Sequence, residues 1–261
     1  TWALHNAVKK AKYDIWLIAD ADVRHTSQSL KRSVAHFLAN RADIMTRAPW
    51  PIIHSFGEWP MIYVMFILRY SSWFSDSFLK RNQSFPPEQY VLMSRKFYEG
   101  SGGYSSVRNF IPEIMALVNI AHRMSKKVVH MDDDLLDITV RMHEGGKATT
   151  EGIVRAIDFR VIPFYPFLAT SLMITWVING VLKIGSGLFI PSASMLIQGL
   201  IGYALFSILF TWYLSRSRHS RIIGLFAPIL VLNFTYLTIL AVFKRIVGKQ
   251  VVWRGRAINI A

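Results

Sequence analysis

The chain contains no cysteine among its 261 residues. Disulfides, thiolate metal sites and a cysteine nucleophile are therefore excluded, whereas the redox compartment stays open, because a chain without cysteine is compatible with any compartment. The histidines show no HExxH or other metal-binding spacing, and neither a GxSxG element nor a phosphate-loop pattern occurs. The sequence gives no sign of these kinds of site.

Acidic residues are scarce as well, with 16 Asp and Glu against 30 Lys and Arg and a formal net charge of +14. In a soluble protein this excess would suggest nucleic acid as the partner. Beside long apolar runs it more often indicates contact with anionic lipid head groups, and a phosphate-bearing substrate would benefit too. Because the charge is spread along the chain and near the ends of the apolar runs, we expect membrane lipids as partners and no nucleic acid.

Charged residues are missing from three stretches, 161–182, about 188–214 and 222–243. Each stretch is long enough to cross a bilayer. We therefore expect a basic α/β domain over 1–158, transmembrane helices over 159–245 and a basic interfacial tail over 246–261. This organisation is compatible with a membrane enzyme. The alternative is a non-catalytic membrane protein, such as a channel or transporter subunit with a basic cytoplasmic domain. That class needs ionisable residues inside the spans, and these stretches contain none.

Basic residues between the apolar stretches predict the orientation. The connector 215–221 and the C-terminal tail are both strongly basic, so the positive-inside rule places them and the α/β domain in the cytoplasm of a multi-pass cell-membrane protein. Three complete crossings cannot satisfy this arrangement, because an odd number puts the tail outside. One stretch is expected not to cross. Pro228 and Asn233 make 222–243 the candidate, and 161–182 is the rival.

The first half of the chain alternates helical and strand-like patterns, which is typical of an α/β domain. The apolar run at 61–68 is too short to span a bilayer and suits an interfacial or buried helix. Residues 43–53 are ambiguous, although Pro49 and Pro51 argue against a central strand there. The other predicted elements are helices over 1–12, 27–39 and about 112–124, and strands over 14–19, 89–93 and 126–131.

Two aspartates, Asp20 and Asp22, directly follow the apolar run 14–19. In open α/β sheets ligands bind beyond the carboxyl ends of the strands. Two carboxylates one residue apart can hold one Mg²⁺ or Mn²⁺ ion jointly with substrate phosphates. A solvated turn after the strand explains the same residues, because Asp is common in turns. The residues alone leave both interpretations open.

The other acidic residues have equally plain structural explanations. Glu113 follows Pro112 at the start of a predicted helix, where it either complements the helix dipole or acts as a general base. The run Asp132–Asp134 is conspicuous, but adjacent carboxylates repel one another and usually form a solvated loop. We expect Asp134 and Asp137 to lie at the start of a helix that continues through Ile138.

Two further patterns stay ambiguous at this level. Gly102 and Gly103 either permit a close approach of the backbone to a ligand or form a turn. Trp253, Arg254 and Arg256 follow the last apolar stretch. They either anchor the chain at the head groups or clamp a diphosphate, for which Arg offers bidentate pairing.

Taken in order, TWAL, an apolar strand into DAD, SGGY, FIPEIMAL, the membrane segments and WRGR resemble a membrane-attached family 2 glycosyltransferase of the GT-A type. The resemblance covers most of the chain. It is nearest the hopanoid-associated and carotenoid (diaponeurosporenoate) branch, which has a Trp-basic-Gly-Arg tail. Arg141-Met142 through Gly145 and Gly152 is also similar to that branch. The implied fold is a partial GT-A, Rossmann-like nucleotide-sugar domain followed by transmembrane helices.

The resemblance implies roles for individual residues. Asp20 and Asp22 match the DxD element that holds a divalent ion, Mg²⁺ or Mn²⁺, and the donor diphosphate. Glu113 stands where the family places an acidic pair containing the base, although Ile114 occupies the second position here. Gly102 and Gly103 match a loop near donor and acceptor.

At the C-terminal end, Trp253, Arg254 and Arg256 stand where processive relatives carry Gln-x-x-Arg-Trp. Gln250 and Trp253-Arg254 give a similar set in changed order, so processivity does not follow. The family's N-terminal nucleotide-binding strand has no counterpart, so we expect the chain to begin inside the catalytic domain. The implied reaction transfers a sugar from a nucleotide-sugar donor to a lipid-soluble acceptor.

Overall fold

The computed structural model describes residues 2–78, 87–110, 113–131, 137–157, 164–190, 192–216, 219–248, 250–253 and 256–259. The helices are α1 (Trp2–Val8), α2 (Ser29–Ala39), α3 (Trp59–Phe78), α4 (Arg95–Gly100), α5 (Gly103–Ser106), α6 (Glu113–Arg123), α7 (Gly145–Ala156), α8 (Phe164–Phe189), α9 (Ala193–Arg216) and α10 (Ala227–Phe243). The strands are β1 (Ile15–Ala19), β2 (Val23–His25), β3 (Ile44–Arg47), β4 (Trp50–Pro51), β5 (Tyr90–Ser94), β6 (Val128–Met131), β7 (Ile138–Val140), β8 (Gln250–Trp253) and β9 (Arg256–Asn259).

The main sheet has the strand order β1-β5-β3-β6. Strand β5 runs antiparallel to both β1 and β3, whereas β3 and β6 are parallel. The strands predicted at 14–19 and 89–93 and the helix predicted near 112–124 are present as β1, β5 and α6. An α/β unit followed by long apolar helices is therefore confirmed.

The ambiguous segment 43–53 divides between two sheets. All four residues of β3 are buried, and β3 ends before Pro49, inside the main sheet. Strand β4 is only two residues long and lies at the edge of a second sheet with the order β2-β7-β4. Pro51 is tolerated there because an edge strand needs fewer of its backbone N–H groups.

The prediction of a helix after the acidic run Asp132–Asp134 is wrong. Residues 132–136 lie outside the described part of the chain, but 138–140 form strand β7, not a helix. Asp137 is buried, with its carboxylate paired to the buried Arg47 guanidinium. A second cation, Arg32, lies 3.5 Å from the other carboxylate oxygen. The acid therefore serves a buried ion pair that joins β7 to β3, and it does not cap a helix.

Three helices in the second half are long and apolar enough to cross a membrane: Thr170–Phe189, Ala193–Arg216 and the helical stretch Arg221–Val247. Helices α8 and α9 pack closely as a hairpin. A Cβ atom on Gly199 would lie only 2.8 Å from the carbonyl oxygen of Gly180, so the two backbones approach each other there.

Helix α3 belongs to the first half of the sequence but packs with these apolar helices. It is 20 residues long, well beyond the predicted run at 61–68. Its buried Tyr63 and Phe66 share a cluster with Phe210 and Tyr213 of α9 and Leu230 of α10. A boundary at 158 thus separates α7 from α8 in sequence, while the hydrophobic packing crosses it.

Candidate functional site

A cavity of about 800 Å³ lies where the α/β unit meets α3, α8 and α10. This volume is typical of small-molecule sites. The polar side chains that line it are Asp20, Asp22, Glu88, Gln89, Tyr104, Glu113, His143, Arg155, Thr170, Ser171 and Thr238. Apolar side chains from α3, α8 and α10 also line it: Met61, Val64, Met65, Ile67, Leu68, Ile174 and Phe234. One cavity therefore combines ionisable side chains with an apolar surface formed by α3, α8 and α10.

The predicted acidic residues Asp20, Asp22 and Glu113 all line this cavity. Strand β1 ends at Ala19, and the backbone N–H of Val23 donates to the carbonyl oxygen of Asp20 at 3.1 Å, which closes a turn. Surrounding protein atoms partly desolvate Asp20 and raise its pKa. The charges of Asp22 and Glu113 raise this pKa further, whereas Arg155 lowers it. The fold thus gathers acids that are far apart in sequence.

The residues of this cavity that would hold a divalent ion are Asp20 and Asp22. Within the described ranges, no group of three or more His, Cys, Asp or Glu side chains is placed to hold a metal ion. Asp20 and Asp22 offer hard oxygen donors in one turn. Mg²⁺ is commonly held by one or two carboxylates together with water and substrate phosphates. The pair therefore suits an ion that arrives with its phosphate ligand, and not a closed protein cage.

Glu88 is a fourth carboxylate at the cavity, and the sequence analysis missed it. Its Oε1 atom accepts hydrogen bonds from the backbone N–H groups of Ile114 at 2.7 Å and Met115 at 3.4 Å. Burial, together with the nearby charge of Glu113, raises its pKa to about 8, although these hydrogen bonds and Arg155 oppose the rise. Glu88 is therefore mainly protonated at neutral pH. Its partners lie 26 residues away, so no local pattern could have indicated it.

The two glycines predicted near the ligand do not line the cavity, but their neighbour Tyr104 does. Gly102 and Gly103 have φ angles of +78° and +53°. A Cβ on Gly103 would lie 2.3 Å from the ring of Tyr98. The hydroxyl of Tyr98 accepts a hydrogen bond from the backbone N–H of Tyr104 at 3.2 Å. The glycines therefore allow the tight turn that brings Tyr104 to the cavity.

Tyr104 is almost fully buried, and among the described residues its hydroxyl has no hydrogen-bond partner. Burial raises its pKa, and the nearby charges of Glu113, Glu88 and Asp20 raise it further. A buried hydroxyl without a partner is costly to a protein, so this group invites an explanation from ligand binding.

Helix α7 and the loop before it form another wall of the cavity, through His143, Gly152 and Arg155. The ring of His143 lies against Gly152, where a Cβ would come within 2.1 Å of Nε2. The loop is held by the buried carboxylate of Glu58. This carboxylate accepts hydrogen bonds at 3.0 Å from Nη2 of Arg141 and from the backbone N–H of Gly145.

Hydrogen bonding makes Glu58 strongly acidic. Burial opposes ionisation, but the hydrogen bonds from His54, Gly145, Arg141 and Ser55 outweigh it and lower the pKa to about 2. Residues 141–152, one of the segments on which the expected family resemblance rests, therefore include part of the cavity wall.

The C-terminal hairpin lies beside α7. Strands β8 and β9 pair antiparallel, with Trp253 opposite Arg256, and β8 contacts α7. For Trp253 and Arg256 the structure describes the backbone and not the side chains, and Arg254 lies outside the described residues. Their predicted roles at a diphosphate or at the head groups stay predictions.

Comparison of the chain with protein-family models, curated proteins and solved structures gave no match.

Proposed function

We propose that the chain is a membrane glycosyltransferase that moves a sugar from a nucleotide-diphosphate donor to a lipid-soluble acceptor, with Mg²⁺ or Mn²⁺ as cofactor. In this proposal the α/β unit is a partial GT-A domain on the cytoplasmic side of the cell membrane. The carrying observation is the composition of the cavity, which brings Asp20, Asp22 and Glu113 together beside apolar residues of α3, α8 and α10. A polar donor and an apolar acceptor need both kinds of surface at one place.

Asp20 and Asp22 are the residues that would hold the divalent ion. When bound, such an ion supplies Lewis-acid stabilisation of the charge on the leaving diphosphate. Glu113 accepts the proton of the acceptor hydroxyl or carboxylic acid while the acceptor oxygen bonds to the anomeric carbon. The bond from that carbon to the diphosphate oxygen breaks, and the nucleoside diphosphate leaves with the electron pair. The apolar wall admits the acceptor chain and excludes water from the reacting atoms.

The acceptor can reach this site from the bilayer. Thr170, Ser171 and Ile174 of α8 and Phe234 and Thr238 of α10 line the same cavity. Both helices are apolar enough to lie in a membrane. This arrangement supports an acceptor that is dissolved in lipid.

The test is release of nucleoside diphosphate by the full chain in lipid nanodiscs. A panel of UDP- and GDP-sugars is supplied with Mg²⁺ or Mn²⁺ and a membrane lipid extract. We expect the wild type to release nucleoside diphosphate with at least one donor, and Asp22→Asn to lose about 100-fold or more of this rate. Asp14→Asn is the matched control, because Asp14 is 94% exposed and lies outside the cavity lining.

Two results would contradict the proposal. The first is full activity of Asp22→Asn with saturating metal. The second is a folded wild-type chain that releases no nucleoside diphosphate from any donor of the panel.

A further inference from the structure

We propose, on the basis of the proposed function, that Arg155 binds the diphosphate of the nucleotide-sugar donor. Arg155 lies in the last turn of α7 and is partly exposed. Of the described residues that line the cavity, it is the one Arg or Lys.

Arg155 shares its cavity with the acidic residues of the site. It lines the same cavity as Asp20 and Asp22 in the turn after β1 and as Glu113 at the start of α6. These are the walls that carry the proposed metal ligands and the proposed base. An anion bound between them meets Arg155.

A diphosphate in this cavity would lie among carboxylates, so a cation in the lining favours its binding. Asp20, Asp22 and Glu113 repel a diphosphate, while Glu88 is mainly neutral at pH 7 because its pKa is about 8. A divalent ion on the aspartate pair offsets two of the three negative charges. With the carboxylates neutralised in this way, the guanidinium of Arg155 can donate hydrogen bonds to phosphate oxygens. Its planar fork suits two such oxygens at once.

The end of α7 is also anchored in a way that fits a binding role. Nη2 of Arg245 donates a hydrogen bond to the backbone carbonyl oxygen of Arg155 at 3.0 Å. Arg245 follows α10 in a short π-helical turn, Lys244–Gly248. The backbone that carries Arg155 is therefore tied to the end of an apolar helix, and this tie fixes the origin of its side chain.

The experiment measures binding to the full chain in nanodiscs by calorimetry, in the presence of Mg²⁺. The probes are UDP, GDP and inorganic pyrophosphate, and the variants are Arg155→Gln and Arg155→Lys. Lys147→Gln is the matched control, because Lys147 is an exposed cation of the same helix outside the cavity lining. Thermal midpoints show whether each variant is folded.

We expect Arg155→Gln to bind the preferred nucleoside diphosphate and pyrophosphate about 10- to 100-fold more weakly than the wild type. Arg155→Lys keeps the charge but loses the fork, so its affinity falls between the two. Lys147→Gln binds as the wild type does. Equal losses for pyrophosphate and nucleotide identify the diphosphate, and not the base, as the group that Arg155 contacts.

Unchanged affinity in folded Arg155→Gln overturns the proposal, as does unchanged affinity in Arg155→Lys if the Gln variant does not fold. A lower thermal midpoint with unchanged affinity assigns Arg155 to a counter-ion role alone. This result also overturns the proposal. A wild type that binds none of the three probes contradicts the proposed function itself, so the two failures are distinguishable.

Discussion

The Oε1 atom of Glu88 lies 2.7 Å from the backbone nitrogen of Ile114. This hydrogen bond joins the segment before β5 to the first turn of α6, which begins at Glu113. It therefore ties the helix turn that carries the proposed base to the start of β5, an inner strand of the main sheet. The cavity and this bond together lead to predictions about catalysis, pH dependence and stability.

Glu113→Gln should lower kcat by about 100- to 10,000-fold, because a general base contributes about that much to proton transfer. The affinity for nucleoside diphosphate should stay unchanged, since the amide keeps the size of the side chain. Steady-state release assays with calorimetry measure both quantities. Glu99→Gln is the control, as Glu99 is 63% exposed and outside the cavity lining. Unchanged turnover in Glu113→Gln would place the base elsewhere.

Glu88→Gln should remove part of the pH dependence of stability. The pKa of Glu88 rises from 4.5 to about 8 on folding, so the folded state holds a proton that the unfolded state releases between these values. Its contribution to stability is full below about pH 4.5 and is lost as pH rises through about 8. Wild-type thermal midpoints should fall more steeply between pH 5 and 8 than those of Glu88→Gln. Parallel profiles for the two proteins would contradict this expectation.

Glu58→Ala should destabilise the fold by about 3 kcal/mol, because it leaves Arg141 and two backbone N–H groups without their buried acceptor. Glu144→Ala is a matched control, since Glu144 pairs with the same Arg141 at 3.3 Å but is 79% exposed. That change should cost between about 0 and 1 kcal/mol. Denaturant titration measures both losses of stability. Equal losses would contradict the prediction that the burial of Glu58 increases its contribution.

The same carboxylate gives a prediction at acid pH. Because the pKa of Glu58 is lowered from 4.5 to about 2, its stabilising contribution is present above about pH 4.5 and is lost as pH falls through 2. Glu58→Ala should therefore lose less stability than the wild type over this range. Unfolding midpoints between pH 5 and 2 provide the measurement.

Gly103→Ala should be far more damaging than Gly102→Ala. Both glycines have positive φ angles, which costs an alanine about 1 kcal/mol. A Cβ on Gly102 meets Ser106 at 3.3 Å, whereas one on Gly103 overlaps the ring of Tyr98 at 2.3 Å. Displacing Tyr98 also disturbs the backbone of Tyr104 at the cavity. Similar thermal midpoints and similar activities for the two variants would rule out this packing role.

The apolar patterns of the sequence indicated much of the local structure. The run 14–19 predicted β1, and the uncharged stretches predicted helices in the regions of α8, α9 and α10. The residues alone left the acid pair after β1 open between a turn and a metal site, and the resemblance implied a role with metal and diphosphate that stays a prediction. The structure shows that both aspartates line the cavity. These features are local, because the period of the apolar residues and the residue that follows a strand are read over a few positions.

The sequence misled where a residue's partner is distant. Asp137 was predicted to lie at the start of a helix. It instead forms a buried ion pair with Arg47, a residue that is distant in sequence. The loop glycines were open to a turn or to a ligand contact, and the structure shows that Gly103 leaves room for the ring of Tyr98. In both cases the local pattern was compatible with two structures, and a long-range contact selected one.

The sequence by itself determined that the chain has an α/β unit, apolar helices and an acidic turn at the end of β1, because hydrophobic periodicity and charge act over short distances. Only the tertiary structure decided that Glu88 meets the start of α6, that Arg155 lines the same cavity as the acids and that α3 packs with the apolar helices. These relationships follow from the strand order and from packing between distant segments. No single stretch of the chain contains that information.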